Sequence, residues 1–432
     1  MSFHTIPGTS IEYGLIAFDD NGRERDDDTD GGTFSRTLLE RIARDKPTNI
    51  FLFSHGWKGD AKGAIDQYDR WIKAMATRTD DVKRMGTSFK PMWIGLHWPS
   101  LPWGEEASGA FDIGSGASID TLIAETASHF GGGAEATAAV TDIFNAFAKD
   151  PGASDVPPAA TAAYKRLAAA IGFSAAGDAS GNPDDDGEPL DPQAALDADN
   201  LAAQSFGVVG TIGGGLLSGF RQLSFWTMKK RARTVGEGGM HAFIREVQRQ
   251  SNAKIHLMGH SFGCIIVSGI VNGPKGAGGL SRPINSLTLV QGALSLWCYA
   301  DQVQGSTSPG YFLGILTRQP PAVSGPILTT RSRHDSAVGV LYPAAVGLVR
   351  EADFGVTLPK YGAIGAFGIQ GRTGVIDRPM LDADGEYDFK PGTITNLESS
   401  QFIAKKDGAS GAHSDIDGPQ VAHAMWQGAL VS

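Results

Sequence analysis

Residues 254–271, KIHLMGHSFGCIIVSGIV, decide the fold of this chain. The first five form an apolar run that predicts a buried strand, and the last eight are compatible with a helix. Between the two, Gly259-His260-Ser261-Phe262-Gly263 matches the pattern G-x-S-x-G. Gly259 and Gly263 permit a sharp turn from strand to helix, because neither carries a Cβ that would block a close backbone approach. The stretch therefore predicts a turn that exposes the hydroxyl of Ser261 at the end of a strand.

The alternation of strand and helix continues on both sides of this turn. Apolar runs predict further strands at 11–18, 49–54, 92–97, 286–290, 327–331 and 393–397. Helical spacing of apolar residues predicts helices at 34–44, 60–78, 240–250 and from Pro419 onward. Buried strands separated by helices are typical of a parallel sheet covered on both faces. We therefore expect an α/β fold with a mostly parallel central sheet and helices on both faces.

One long segment interrupts this alternation. Residues 100–233 contain no convincing strand run and several Ala- and Gly-rich helical stretches, at 119–130, 134–147 and 159–171. We expect a large helical cap inserted into the sheet domain, whose N-terminal part is then 1–99 and whose C-terminal part is 234–432. The apolar stretch 206–220, followed by four basic residues within 229–233, has two interpretations. It could form an amphipathic lid that lies on lipid, or a buried cap helix, which its glycines favour.

Composition narrows the class of protein. The chain has 432 residues, more than the roughly 250–300 that one hydrophobic core usually serves, and 41% of them are hydrophobic. A net charge of −10 argues against a nucleic-acid partner. The two cysteines and ten histidines show no zinc spacing, so no metal site is expected. No signal peptide or run of 18 apolar residues is visible, so a cytoplasmic location is expected, with export by a route without a cleaved signal left open.

The turn and its flanking elements resemble the α/β-hydrolase superfamily, specifically its serine esterase and lipase-like members. The resemblance covers most of the chain outside 100–233. It implies a Ser–acid–His triad in that chain order, with the acid after strand seven, the base after strand eight and no cofactor. Ser261 is then the nucleophile. The helix that follows it places the backbone N–H of Phe262 near a developing oxyanion.

Candidates for the acid and the base lie after the later predicted strands. Asp335 follows the strand run at 327–331 in a polar turn, and Asp301, beyond the preceding strand, is the alternative acid. His413 lies in the glycine-rich loop GASGAHSDIDGP, which could bring its ring over the turn. His423 is the competing base, but it lies inside the closing helix.

A second oxyanion donor is expected after the strand at 49–54. There, His55-Gly56-Trp57 resembles the His-Gly that opens the oxyanion loop of these enzymes, with Gly56 allowing the turn that points the N–H of Trp57 into the site. His55 is expected to be structural. The extended HGGG form is absent, so activity on bulky tertiary-alcohol esters is not expected.

Together these residues predict a serine hydrolase that cleaves small-molecule or lipid esters through an acyl-enzyme on Ser261. A lipid-interface phospholipase or a thioesterase would use the same machinery, and so remain alternatives. An alternative from another class is a catalytically silent relative that serves as a binding or scaffold protein. A membrane surface is the less favoured partner, and the sequence assigns no oligomeric state.

Overall fold

A computed structural model gives the structure of the protein. It describes residues 2–25, 33–56, 61–100, 118–149, 155–173, 190–193, 195–197, 214–304, 307–341, 358 and 362–431. The chain divides into two compact units. One comprises Met1–Leu101, Lys229–Gly339 and Gly362–Ser432, and the other comprises Pro102–Met228 and Val340–Tyr361.

The first unit is built on a nine-stranded, mostly parallel sheet in the order β1-β2-β4-β3-β5-β6-β7-β9-β8. Only the pairing of β1 with β2 is antiparallel, while every other pair is parallel. The strands are β1 Phe3–Thr5, β2 Glu12–Ala17, β3 Asn49–Ser54, β4 Pro91–His97, β5 Lys254–His260, β6 Ser286–Val290, β7 Ile327–Arg331, β8 Ile376–Pro379 and β9 Ile394–Glu398. Parallel strands place their carboxyl ends at one edge, so the residues after β3, β5, β7 and β9 emerge at that edge.

Helices connect the strands and pack against them. In this unit they are α1 Phe34–Asp45, α2 Ala61–Ala76, α3 Thr79–Arg84, α8 His241–Gln250, α9 Gly263–Asn272, α10 Leu313–Thr317, α11 Ile364–Phe367 and α12 Pro419–Leu430. Helix α7, Gly214–Val235, precedes a π-helical turn at Gly236–Met240 that leads into α8. All ten residues of α9 are buried, which explains why its sequence is apolar on every face.

The sheet is buried at its centre. All six residues of β3 and all five of β6 are buried, as the continuous apolar runs predict. Aromatic rings fill the space beside β3: Phe51 stacks on Trp93 at 4.8 Å between centroids and meets the edge of Trp426 at 5.1 Å. The α/β class and the mostly parallel sheet that the sequence predicts are confirmed.

The two edge strands are not predicted by the pattern of the sequence. β1 has three residues, none fully buried, and β8 alternates half-buried and exposed residues and ends in Pro379. Neither shows the apolar run that marks the central strands, because an edge strand is solvated along one side.

The described part of the second unit is helical. It contains α4 Ile119–His129, α5 Ala134–Lys149 and α6 Pro158–Ala170, close to the three stretches predicted from the sequence. None of its described residues forms a strand. Most of the apolar stretch 206–220, namely 206–213, lies outside the described residues. No helix in the described part of the chain is long and apolar enough to span a membrane.

Candidate active site

Ser261 occupies a sharp turn between β5 and α9. Its φ is +56°, in the left-handed region that non-glycine residues enter at a cost of about 1–3 kcal/mol. Three backbone hydrogen bonds hold this conformation. The N–H of Ser261 donates to the carbonyl of Val290 at 3.1 Å, and the N–H groups of Cys264 and Ala293 both donate to the carbonyl of Ser261 at 3.1 Å. The strand–turn–helix that G-x-S-x-G requires is therefore present.

Three glycines make room for this turn. A Cβ on Gly259 would lie 2.5 Å from the carbonyl oxygen of Gly263, and one on Gly263 would lie 2.3 Å from that of Ser54. A Cβ on Gly56 would lie 2.6 Å from the Cβ of Ser261. Separations below 3.0 Å require something to move, so a side chain at any of the three would displace the turn.

Asp335, after β7, is a buried acceptor whose carboxylate side chain has no exposed surface. Its Oδ1 accepts the backbone N–H of Val338 at 3.1 Å. Its Oδ2 accepts the Nε2 amide of Gln291 at 2.8 Å and the Nδ1–H of His413 at 2.7 Å. These donors keep the carboxylate in place and make it the orienting partner of His413.

The loop after β9 brings His413 to Asp335 through backbone contacts as well as through the ring. Gly411 forms an isolated antiparallel bridge with Asp335, and the N–H of Ala412 donates to the carbonyl of His334 at 2.8 Å. Because Nδ1 of His413 donates to the carboxylate, Nε2 of the neutral ring is left as the proton acceptor.

His260, the residue before Ser261, ties the base to the turn. Its Nε2 donates to the carbonyl of His413 at 2.9 Å, its Nδ1 accepts from the Nε2 amide of Gln67 at 3.2 Å, and the two imidazole rings lie 4.8 Å apart. Burial lowers the pKa of His260 well below its usual value, and the neighbouring His413 lowers it further. His260 is therefore a neutral residue that bonds the backbone of His413 from the position preceding Ser261.

The described structure shows no hydrogen bond between the hydroxyl of Ser261 and the ring of His413. Among the described residues, the hydroxyl of Ser261 has no hydrogen-bond partner. Catalytic hydrogen bonds are often long before substrate binds and tighten in the complex, so the absence of this bond is compatible with a triad.

Asp301 and His423, the alternative acid and base, are bonded to other residues. Asp301 is exposed and pairs with Arg372. His423 is buried in α12, where its Nδ1 lies 2.8 Å from Oδ1 of Asp81 and its Nε2 lies 2.5 Å from the carbonyl of Gly385. Neither contacts Asp335 or His413 in the described structure.

The oxyanion side of the site is described in part. Phe262 precedes the first residue of α9, so its N–H belongs to the amino terminus of that helix, where anions are stabilised. Trp57, the second predicted donor, lies outside the described residues.

His55 secures the end of β3, next to Gly56. Its Nδ1 donates to the carbonyl of Gly56 at 2.8 Å, and its Nε2 accepts the backbone N–H of Trp98 at 3.4 Å. Burial lowers the pKa of His55 to about 3, and so keeps the ring neutral. This bonding is that of a structural residue.

Sequence reasoning overlooked Gln291, Gln67 and His260 as parts of this site. Gln67 lies on α2 and Gln291 follows β6, so neither is near Ser261 in the sequence. His260 stood within the motif, but its hydrogen-bond partners come from Gln67 and His413, each more than 150 residues away.

Comparisons with known protein families, with curated proteins and with solved structures find no match.

Proposed function

We propose that this chain is a serine hydrolase of the α/β-hydrolase superfamily that cleaves carboxylic esters. Ser261 attacks the ester carbonyl while His413 accepts its proton, and the oxyanion is stabilised at the amino terminus of α9. The protonated His413 donates to the departing alcohol. Water then attacks the acyl-enzyme with His413 again as base, which releases the acid and restores the Ser261 hydroxyl.

One observation carries this proposal. The Nδ1 of His413 lies 2.7 Å from Oδ2 of Asp335, and His413 is in turn held by the residue that precedes Ser261. Asp335 and His413, which are 78 residues apart, thus meet at the carboxyl edge of the sheet, the edge at which Ser261 follows β5. The three residues also follow one another in the chain order that the resemblance implies. The strained φ of Ser261 supports the same conclusion, because strain of this kind accumulates at functional sites.

A fluorophosphonate probe tests the proposal directly, since it forms a covalent bond with an activated serine. We expect wild type to be labelled, Ser261→Ala to be unlabelled and His413→Gln to react at least about a thousandfold more slowly. Ser268→Ala is the matched control, because Ser268 is buried in α9 and donates to the carbonyl of Cys264 at 2.7 Å. No labelling of wild type favours the silent scaffold instead, and equal labelling of wild type and Ser261→Ala would show that the reacting residue is not Ser261.

Substrate preference is expected to depend on the predicted cap, which residues 100–233 form. We propose that this segment sets the acyl-chain preference, because it leaves the sheet after β4, at the edge where Ser261 lies. p-Nitrophenyl esters of increasing acyl length measure that preference, in the intact chain and after replacement of 102–228 by a short linker. A sharp rise in hydrolysis when a substrate forms micelles would favour the lipid-interface alternative. If the acyl-chain preference is unchanged after the replacement, the cap does not determine it.

A further inference from the structure

Gln291 is a buried residue with no part in the proposed reaction steps. It follows β6 directly and has no exposed surface. Its φ of +45° lies in the left-handed region. A glutamine gains nothing from that conformation by itself, whereas glycine would adopt it without strain. The surrounding contacts must therefore hold Gln291 in place.

The amide of Gln291 bonds to Thr330 on β7 at one end and to acceptors at the other. The hydroxyl of Thr330 accepts the backbone N–H of Gln291 at 2.9 Å, so its own proton is available for donation. It donates that proton to Oε1 of Gln291 at 2.9 Å. The opposite end of the amide faces Oδ2 of Asp335 and the carbonyl of Gly365, which can only accept hydrogen bonds. That end is therefore the NH₂ group, and Oε1 is the atom that bonds to Thr330.

The NH₂ group faces the acid of the triad. It donates to Oδ2 of Asp335 at 2.8 Å and lies 3.3 Å from the carbonyl of Gly365. Oδ2 is also the oxygen that accepts from His413. The two donors thus converge on one carboxylate oxygen, and the amide prevents that oxygen from turning away from the imidazole.

We infer that Gln291 is a positioning residue, which orients the Asp335 carboxylate toward His413 by donating to their shared oxygen. The inference rests on the proposed hydrolase function. During attack His413 becomes an imidazolium, and Oδ2 must then stay aligned with Nδ1 to stabilise it. Gln291 contributes to that alignment without touching the reacting atoms.

The test compares variants by their rate of fluorophosphonate labelling. Gln291→Met keeps the volume but removes the donor, and we expect the limiting labelling rate to fall about 10- to 100-fold with probe affinity unchanged. The matched control is Gln248→Met. Gln248 is a buried amide on α8 that donates to the carbonyl of Arg282 at 2.8 Å and accepts from the N–H of Ser281 at 2.9 Å, away from the triad. The Gln248→Met variant should be less stable than wild type but should be labelled at the same rate.

Gln291→Glu decides the question if Gln291→Met does not fold. It retains the size of glutamine but sets a second carboxyl group against Oδ2 of Asp335, the oxygen that His413 also contacts. Two such carboxyl groups share a proton at low pH and repel each other when both are ionised. We expect the pH profile of labelling to change in position or to gain an ionisation.

The results separate the inference from the proposed function. If Gln291→Met labels within about twofold of wild type, or if the pH profile of Gln291→Glu superimposes on that of wild type after scaling, Gln291 is only a packing residue. The hydrolase proposal would still stand, provided that wild type labels and Ser261→Ala does not. If wild type itself fails to label, the hydrolase proposal fails, and with it the premise of the inference.

Discussion

Asp335 accepts hydrogen bonds from three directions with no exposed surface of its own. A carboxylate can remain charged in such a place only when donors replace the water it has lost. His413 is one of these donors, so its ring cannot rotate without leaving Asp335 less well bonded. Asp301, by contrast, is paired with Arg372 at the surface and offers no buried oxygen to an imidazole.

Replacement of the acid should separate these two aspartates. Asp335→Asn preserves the size of the side chain but presents an NH₂ group to the ring, which disfavours the tautomer that accepts the Ser261 proton. We expect turnover of a p-nitrophenyl ester to fall by about three to four orders of magnitude, and Asp301→Asn to stay within about threefold of wild type. The reverse pattern would move the acid to Asp301.

Gly56 should be intolerant of even one methyl group. In Gly56→Ala the added Cβ would lie 2.6 Å from the Cβ of Ser261, so Ser261 must move. Since misplacement of a reacting group by about 1 Å can cost about a hundredfold, we expect a loss of that order in labelling rate. Gly133→Ala is the control, because a Cβ there meets nothing within 4 Å. Equal rates in the two variants would show that the turn adapts.

At the scale of elements, β5 leads into the turn at Ser261 and also carries a buried polar residue, His256, in the middle of the sheet. His256 lies between strands β3 and β6, where its Nε2 meets the amide of Asn49 at 3.0 Å and its Nδ1 meets the hydroxyl of Ser286 at 2.8 Å. Its ring stacks on Phe51 at 4.7 Å. Burial lowers the pKa of His256 to about 3, and the charge of Lys254 adds to the effect.

This buried imidazole should make the fold sensitive to acid. Above about pH 6.5 the ring is neutral in the folded and in the unfolded chain. Between about pH 6.5 and 3 only the unfolded chain binds the proton, so the free energy of unfolding decreases as the pH falls. The expected contribution is about 1.4 kcal/mol per pH unit in that window. In His256→Gln the amide can still bond to Asn49 and Ser286. We expect the dependence of the unfolding free energy on pH to become less steep by that amount. Urea unfolding at pH 6, 5 and 4 measures it. Parallel slopes would place the acid sensitivity elsewhere.

At the scale of the first unit, α12 closes the chain against α2 and α3. The indole N–H of Trp426 donates to the carbonyl of Met75 at 3.0 Å. Deeper in the contact, Asp81 accepts from His423 at 2.8 Å and from Arg78 at 2.7 Å, with the carboxylate only 2% exposed. The loop that carries His413 runs directly into this helix, so α12 anchors one end of it.

Removing Asp81 should destabilise the fold and spare the chemistry. In Asp81→Ala the side chains of Arg78 and His423 lose their shared carboxylate inside the protein, which we expect to cost about 3–5 kcal/mol of unfolding free energy. Asp80→Ala is the matched control: Asp80 is 84% exposed and pairs with Lys83 at the surface, where such pairs contribute under about 1 kcal/mol. Well below the unfolding transition, both variants should label at the wild-type rate. A large fall in labelling for Asp81→Ala alone would mean that α12 also determines the position of His413.

The sequence by itself determined the central strands and the turn. β3, β6 and β7 begin and end where the apolar runs predict, and Ser261 follows β5 as the pattern requires. These features depend on neighbours within a few residues: a continuous apolar run must be buried, and glycines around a serine permit a sharp turn. Asp335 and His413 could be named as candidates because each follows a predicted strand in a polar loop.

Only the tertiary structure decided which candidates meet. The bonds that select Asp335 over Asp301 and assign a role to Gln291 join residues 78 and 44 positions apart. Local patterns carry no information about such pairs, because they depend on which strand ends become neighbours in the sheet. The strand order sets β5, β6, β7 and β9 side by side, and thereby brings the turn, Gln291, Asp335 and the His413 loop to one edge. Burial then makes each pairing obligatory, since a polar group withdrawn from water must find its partner there.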